Sequence, residues 1–395
     1  MDGFQHAIVG GGIAGASIAY HLSERTDEPI VLYERGKPAS ETTRKSMALI
    51  GRTGNEIAYS MKGYALNVYN EFLSDPRADP EFHLLGSLGV ATTADGTEAF
   101  KQSVRGEQKS DHDTLTAGAE RTPSEYLPRN DLKRAMINPY LETDPIEGAI
   151  YWPKQGYTLP DELAHEFLER AADRGVRIRS QTPVREIAVE DGRVTGVVTD
   201  SEHVDVENVI CAAGPWNPEV ARTVGIDLPI RHTLAPILKL QPKNQLVHMI
   251  PHTKHYESRI YFRGCHDGTV YVGYNPNEMT PFEEAEQYTP DDIDDTVPKS
   301  IRSKANELIE ELYPVLRDAD VVDEWVGIRS MTPDGLPIVG WTSVEGFSVA
   351  AFNSSGINLS PAVGRMIADQ LIDDHPTEYY DELSITRFDG FTDVR

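Results

Sequence analysis

Three glycines and one acid near the start of the chain have the spacing to hold a dinucleotide. Ala7-Ile8-Val9 runs into Gly10-Gly11-Gly12-Ile13-Ala14-Gly15, and Ile30-Val31-Leu32-Tyr33 runs into Glu34. In a G-x-G-x-x-G frame, Gly10 permits a tight turn, Gly12 lets the backbone approach a pyrophosphate, and Gly15 allows close helix-to-strand packing. Glu34 follows Gly15 by 19 residues, a place from which a carboxylate accepts ribose hydroxyls and repels a 2′-phosphate. The β-branched stretch before the frame reads as a strand, and Ala14 to Leu22 has helix-forming character. A strand, glycine turn, helix, strand and acid in that order imply a dinucleotide; NAD and FAD satisfy them equally.

The rest of the chain must complete that unit and add a second one. At 395 residues it exceeds one usual domain, so a nucleotide-binding domain plus a further region is expected. The formal charge of −26 opposes nucleic acid and anionic membranes as partners. Lysine is scarce, 12 against 25 arginines, and the acids are spread along the chain; both fit adaptation to a salt-rich cytoplasm, where screening tolerates self-repulsion. Two cysteines, Cys211 and Cys265, exclude a disulfide scaffold and a four-cysteine zinc site, and no metal is expected. Cys211, within Val209-Ile210-Cys211-Ala212-Ala213-Gly214, reads as a core residue of a buried strand. Cys265-His266 resembles a nucleophile and its base, but Cys265-His266-Asp267-Gly268 lies between two strand-like runs and reads as a hairpin turn. No apolar run is long enough to span a membrane, and the N-terminus lacks signal-peptide character, so a cytoplasmic protein is expected.

Pattern along the chain supplies the other elements. Glu56 to Phe72 is helical in spacing, Gly86 to Thr93 reads as a strand, and Asp95 to about Asn130 carries few core signals. Asp161 to Arg174 places Leu163, Phe167, Leu168 and Ala171 at helical spacing, with Gly175 as its stop. Short strands follow at Val176 to Ile178, Val184 to Val189, Val194 to Thr199 and Val206 to Ile210. Strands dominate from Pro229 to Tyr274, an acidic loop and a helix occupy Pro290 to Leu316, and a last helix is expected from Pro361 to Leu371.

Five motifs in this order resemble the FAD-dependent D-amino acid oxidase, glycine oxidase and sarcosine oxidase family. The glycine frame, with Ile13, Ala14, Glu34 and Arg35, is similar to its ADP-binding fingerprint. Ser40, Thr43, Ser46 and Ala48 fall on its S-x-x-S-x-x-N-x-G loop, with Thr43, Ser46 and Ala48 as departures; Thr42 and Met47 belong to the same loop. Val184 matches a position whose backbone meets adenine, and Ala213, Gly214 and Trp216 match its A-A-G-x-W turn. Gly327-Ile328-Arg329-Ser330-Met331-Thr332-Pro333-Asp334-Gly335 is similar to its G-L-R-P-x-T-P-D-G motif. Ser354, Ser355, Gly356, Ile357 and Asn358 match its last flavin-binding turn, where Ser355 replaces a frequent histidine.

The resemblance implies an α/β fold: a Rossmann-like FAD-binding domain, discontinuous over 1–85, 140–225 and 325–395, with an antiparallel-sheet substrate domain over 86–139 and 226–324. It implies FAD held non-covalently, since Gly327 stands where relatives attach it through cysteine. It also implies oxidation of the Cα–N bond of a small amino acid or secondary amine to an imine that water hydrolyses. Arg329 would grip the substrate carboxylate, a task a planar guanidinium performs bidentately; oxygen or a carrier would accept the electrons. His232, Tyr256, Tyr261 and Arg263 fall where relatives build the cavity wall, with no role assigned. The alternatives are a flavin-dependent 2-hydroxy-acid dehydrogenase, a flavin-binding module without turnover and, disfavoured by the C-terminal motifs, an NAD-dependent dehydrogenase.

Overall fold

A computed structural model describes residues 3–52, 54–75, 81–107, 123–275, 281–373 and 378–388. The opening strand, Phe4–Val9, lies at the centre of the first of two eight-stranded sheets, between Ile30–Tyr33 and His203–Cys211. All three run parallel, as do Arg177–Arg179 beside Ile30–Tyr33 and Phe347–Ala351 beside His203–Cys211. Strands buried on both faces need continuous apolar runs, which Ile30-Val31-Leu32-Tyr33 supplies. Helices Ile13–Ser23, Glu56–Ser74, Pro160–Asp173 and Gly356–Ile372 bury one face of this sheet in a shared core.

The second sheet is ordered Asp320–Met331, Arg231–Gln241, Val270–Tyr274, Ile260–Gly264, His252–His255, Ser87–Ala91, Gly148–Trp152 and Glu125–Pro128. Its pairs are antiparallel except His252–His255 with Ser87–Ala91, which run parallel. Alternation sorts its faces: Ile260 and Phe262 enter the core that includes Leu308, Ile309 and Leu312 of helix Lys299–Leu312, while Tyr261 points to the other side. A three-stranded sheet of Leu49–Ile50, Gly156–Thr158 and Phe82–His83 links the two.

Two sequence expectations need correction. The stretch after Asp95, with few core signals as expected, still folds: Ala94–Glu107 is a helix and Glu125–Pro128 a sheet edge, while 108–122 lie outside the described residues. The helix buries little beyond Phe100 and Thr97, so it shows few apolar positions. Gly148–Trp152 and the end of Asp320–Met331, expected in the first unit, hydrogen-bond in the second sheet, where Tyr151 opposes Leu88 and Arg329 opposes Thr233. The last helix begins at Gly356 rather than at Pro361, which sits inside it. Proline there removes the N–H that would serve the carbonyl of Ile357. The Tyr69 hydroxyl donates to that carbonyl instead.

Candidate active site

The glycine frame works as a set of backbone clearances. Gly10 has φ +113°, and a Cβ on it would lie 2.4 Å from the carbonyl oxygen of Ala212. A Cβ on Gly15 would lie 1.9 Å from the carbonyl oxygen of Gly10, so Gly15 is a packing residue. It alone of the residues expected at the cofactor is absent from the cavity lining. Gly12 is open by contrast: a Cβ there would meet only Thr43 Oγ1, at 3.2 Å. The Glu34 carboxylate accepts from the amides of Gly11 and Gly36, both at 2.7 Å, which fixes its direction. Thr43 Oγ1 accepts from Ile13 N at 3.0 Å, tying the polar loop to the start of the helix. Ala48, where the resembled loop carries glycine, has φ +46°, a left-handed conformation that glycine adopts at least cost.

One cavity of about 1070 Å³ joins these pieces. Gly10, Gly12, Ile13, Ala14, Glu34 and Arg35 line one end, and Ser40, Thr42, Thr43, Ser46, Met47 and Ala48 continue the wall. Val184, Ala213, Gly214, Trp216, Arg329 and the turn Ser354, Ser355, Gly356, Ile357 and Asn358 complete the expected set. Near Glu34, the Arg35 guanidinium stacks 3.8 Å over the Trp216 ring, and Trp216 Nε1 donates to Asp291 at 2.8 Å. Asn358 accepts from Gly51 N at 3.1 Å and donates to Leu49 O at 2.8 Å, bracing the wall against the last helix. The helices starting at Ile13 and Gly356 both begin at this cavity, and neither Gly12 nor Ser355 supplies a side-chain cap. Helix N-termini offer N–H donors and positive partial charge to an anion or an electron-rich edge, although Thr43 Oγ1 takes up the Ile13 N–H of the first.

The second sheet closes the opposite end. Arg329 Nη1 donates to Asn275 Oδ1 at 2.6 Å, and among the described residues no carboxylate pairs with this guanidinium. Burial pushes the Tyr261 phenol up, and the nearby Arg329 guanidinium opposes the shift. Tyr256 and Tyr261 line the cavity, whereas His232 and Arg263 do not. His232 is buried against Ser330, 3.2 Å away, and desolvation lowers its pKa to about 4. Arg263 is buried 3.8 Å over the Tyr157 ring. Cys265 and His266 form the expected turn, in which Gly268 N donates to Cys265 O at 3.0 Å; burial raises the Cys265 thiol pKa, against a nucleophilic role. Cys211 is a buried strand residue. Sequence reasoning missed Asn275, Lys254 and Arg259 on this wall. Only the alternation of His252 and Lys254 along one strand hinted at a shared face.

Residues 5–370 match the DAO family, described as FAD dependent oxidoreductase. The chain belongs to this family. It is 25% identical over 402 residues to the mitochondrial pyruvate dehydrogenase phosphatase regulatory subunit of Mus musculus, covering 99% of this chain and 44% of that protein. It is 28% identical over 399 residues to 4-methylaminobutanoate oxidase (formaldehyde-forming) of Paenarthrobacter nicotinovorans, covering 98% and 46%. The chain thus spans less than half the length of these relatives. Its fold is similar to that of L-proline dehydrogenase from P. horikoshii, with a TM-score of 0.82, 19% identity and 98% of each chain covered.

The residues present fit the family's FAD. The cavity is long enough to include both the glycine frame and the Ser354–Asn358 turn, and the clearance at Gly12 and the amide-anchored Glu34 carboxylate suit an ADP half. Bound FAD supplies two-electron redox chemistry. The helix N-termini and Arg329 line the same cavity. No helix among the described residues is long and apolar enough to cross a membrane.

Proposed function

We propose that this chain is an FAD-dependent enzyme that oxidises the Cα–N bond of a small amino acid or secondary amine, giving an imine that hydrolyses to a keto acid or aldehyde. The observation that carries this reading is Arg329, a cation oriented by a neutral amide, opening into the cavity that holds the glycine frame. Its guanidinium binds the substrate carboxylate, and Asn275 holds it in place. Orientation and electrostatics are then the protein's contribution, so no acid–base side chain is obligatory. Gly327 in the wall, and two cysteines that both lie outside the described lining, support non-covalent FAD.

The proposal includes the cofactor contacts expected from sequence, Gly15 apart, and a division into a cofactor unit around the first sheet and a substrate unit around the second. It also includes oxygen or a carrier as electron acceptor and a salt-rich cytoplasm as the setting; the charge of −26 supports the latter. Bleaching of the flavin under anaerobic conditions by a panel of amino acids, N-methyl amino acids and 2-hydroxy acids tests the reaction. Reduction only by hydroxy acids would replace it with hydroxy-acid dehydrogenation. A module that binds FAD without turnover is the second reading, favoured by the similarity to a phosphatase regulatory subunit; it predicts a yellow protein that no carboxylate-bearing substrate reduces.

A further inference from the structure

Ser87 and His252 form a hydrogen-bonded pair on the cavity wall. They stand in register on neighbouring parallel strands, and Ser87 Oγ lies 2.7 Å from His252 Nδ1. That contact is the imidazole's only hydrogen bond among the described residues. The ring is half-buried, and its other nitrogen, Nε2, has no partner there yet is not sealed off by its neighbours, so it opens on the cavity. Burial lowers the imidazole pKa to about 3, and Lys254 and Arg263 act in the same direction. The ring is therefore neutral, and one of its nitrogens is an acceptor.

The pair sits between Arg329 and the last turn of the cavity. On one side the Tyr261 ring lies 5.7 Å from the imidazole, and Tyr261 is close enough to Arg329 for the guanidinium to oppose the rise of its pKa. On the other, the backbone N–H of Gly86 donates to the carbonyl of Gln155 at 2.8 Å. Gln155 packs on Gly51, where a Cβ would lie 2.4 Å from its Cγ, and Gly51 N donates to Asn358 at 3.1 Å. An amino acid whose carboxylate is at Arg329 carries its nitrogen two bonds from the carboxylate carbon, so the amine meets what this stretch of wall offers. The second-sheet strands add no carboxylate to the described lining, and an ammonium or guanidinium only donates. An amine N–H here needs a neutral acceptor, and His252 Nε2 is one.

We propose that His252 is a substrate-binding residue: Nδ1 donates to Ser87 Oγ, and Nε2 accepts an N–H of the substrate amine. The substrate is then a primary or secondary amine, because a neutral tertiary amine has no N–H to give. This rests on the amine-oxidation reading for the chemistry but not for the contact, which any carboxylate bearing an adjacent N–H can make.

The test uses the FAD-loaded protein and two ring carboxylates of nearly one shape: pyrrole-2-carboxylate, with a ring N–H, and furan-2-carboxylate, with an oxygen in its place. Binding is read from perturbation of the flavin spectrum and needs no turnover. Pyrrole-2-carboxylate should bind about fivefold or more tightly, the size of one hydrogen bond. His252→Leu should abolish that preference and His252→Gln should keep part of it. Ser87→Ala, which removes only a hydroxyl, should shrink it, and carries the test if the leucine variant fails to hold FAD. A histidine with a purely structural role would change both affinities alike. Equal binding, no binding by either compound, tighter furan-2-carboxylate, or a preference that neither His252→Leu nor Ser87→Ala moves overturns the inference. The pyrrole preference with no reduction of the flavin by any amine would sink the amine-oxidation reading and keep the contact.

Discussion

Arg329 reaches over the strand Arg231–Gln241 to place its Nη1 2.6 Å from Asn275 Oδ1. An amide orients a guanidinium without neutralising it, so the charge stays available to a carboxylate in the cavity. Arg329→Ala should raise KM for the true substrate at least about tenfold, because a charged hydrogen bond is worth about 1.5–3 kcal/mol. Asn275→Ala should raise it less, and saturation kinetics on both variants check the order.

The glycine frame separates folding from cofactor binding. Gly15→Ala forces a Cβ onto the Gly10 carbonyl, 1.9 Å away, and should cost about 1–3 kcal/mol of stability or more. Gly12→Ala meets only Thr43 Oγ1 at 3.2 Å; it should fold normally and bind FAD more weakly. Denaturant melts of the apoprotein and flavin fluorescence on titration with FAD distinguish the two.

Tyr69 and Pro361 form a compensating pair, the phenol serving the carbonyl that the proline leaves without a helical donor. Tyr69→Phe should leave Ile357 O buried and unsatisfied at a cost of about 1–3 kcal/mol. A lowered urea midpoint with unchanged slope would confirm it, and an unmoved midpoint would refute it.

Acid should destabilise the fold through its buried histidines, His21 and His232 among them. Desolvation lowers the pKa of His21 and of His232 to about 4, against 6.5 in the unfolded chain. Between these values the unfolded state binds protons that the folded state refuses, so the contribution of these two falls as pH drops from 6.5 to about 4 and levels off below, while His252, lowered to about 3, extends the loss. The slope approaches about 1.4 kcal/mol per pH unit for each histidine. His232→Asn should flatten it when urea melts are compared across that window.

Much of the cofactor end was legible because its physics is local. The glycine frame, Glu34 and the Thr43 loop each show within a few residues what the backbone must do there. Gly15 shows the packing role its place in the frame implies: it faces a carbonyl rather than the cavity. The helix Ala94–Glu107 escaped notice because a helix buried on a narrow stripe needs few apolar residues. Pro361 misled for a different reason: proline usually starts a helix, and the donor that lets it sit inside this one comes from Tyr69, 292 positions away in the sequence. Asn275, Lys254 and Arg259 are juxtaposed with Arg329 only by sheet order, which no local pattern encodes.

The opening helix is buried along nearly its whole length, and the last helix packs so closely on it that a Cβ on Gly364 would lie 2.6 Å from Ser17 Oγ. Residues that touch in the finished protein thus leave the ribosome some 340 positions apart. At about 5–20 residues per second, the opening helix waits on the order of tens of seconds for its cover. The face it turns to the last helix is an open target for chaperones throughout that interval, and a chain truncated before Gly356 would leave that face uncovered.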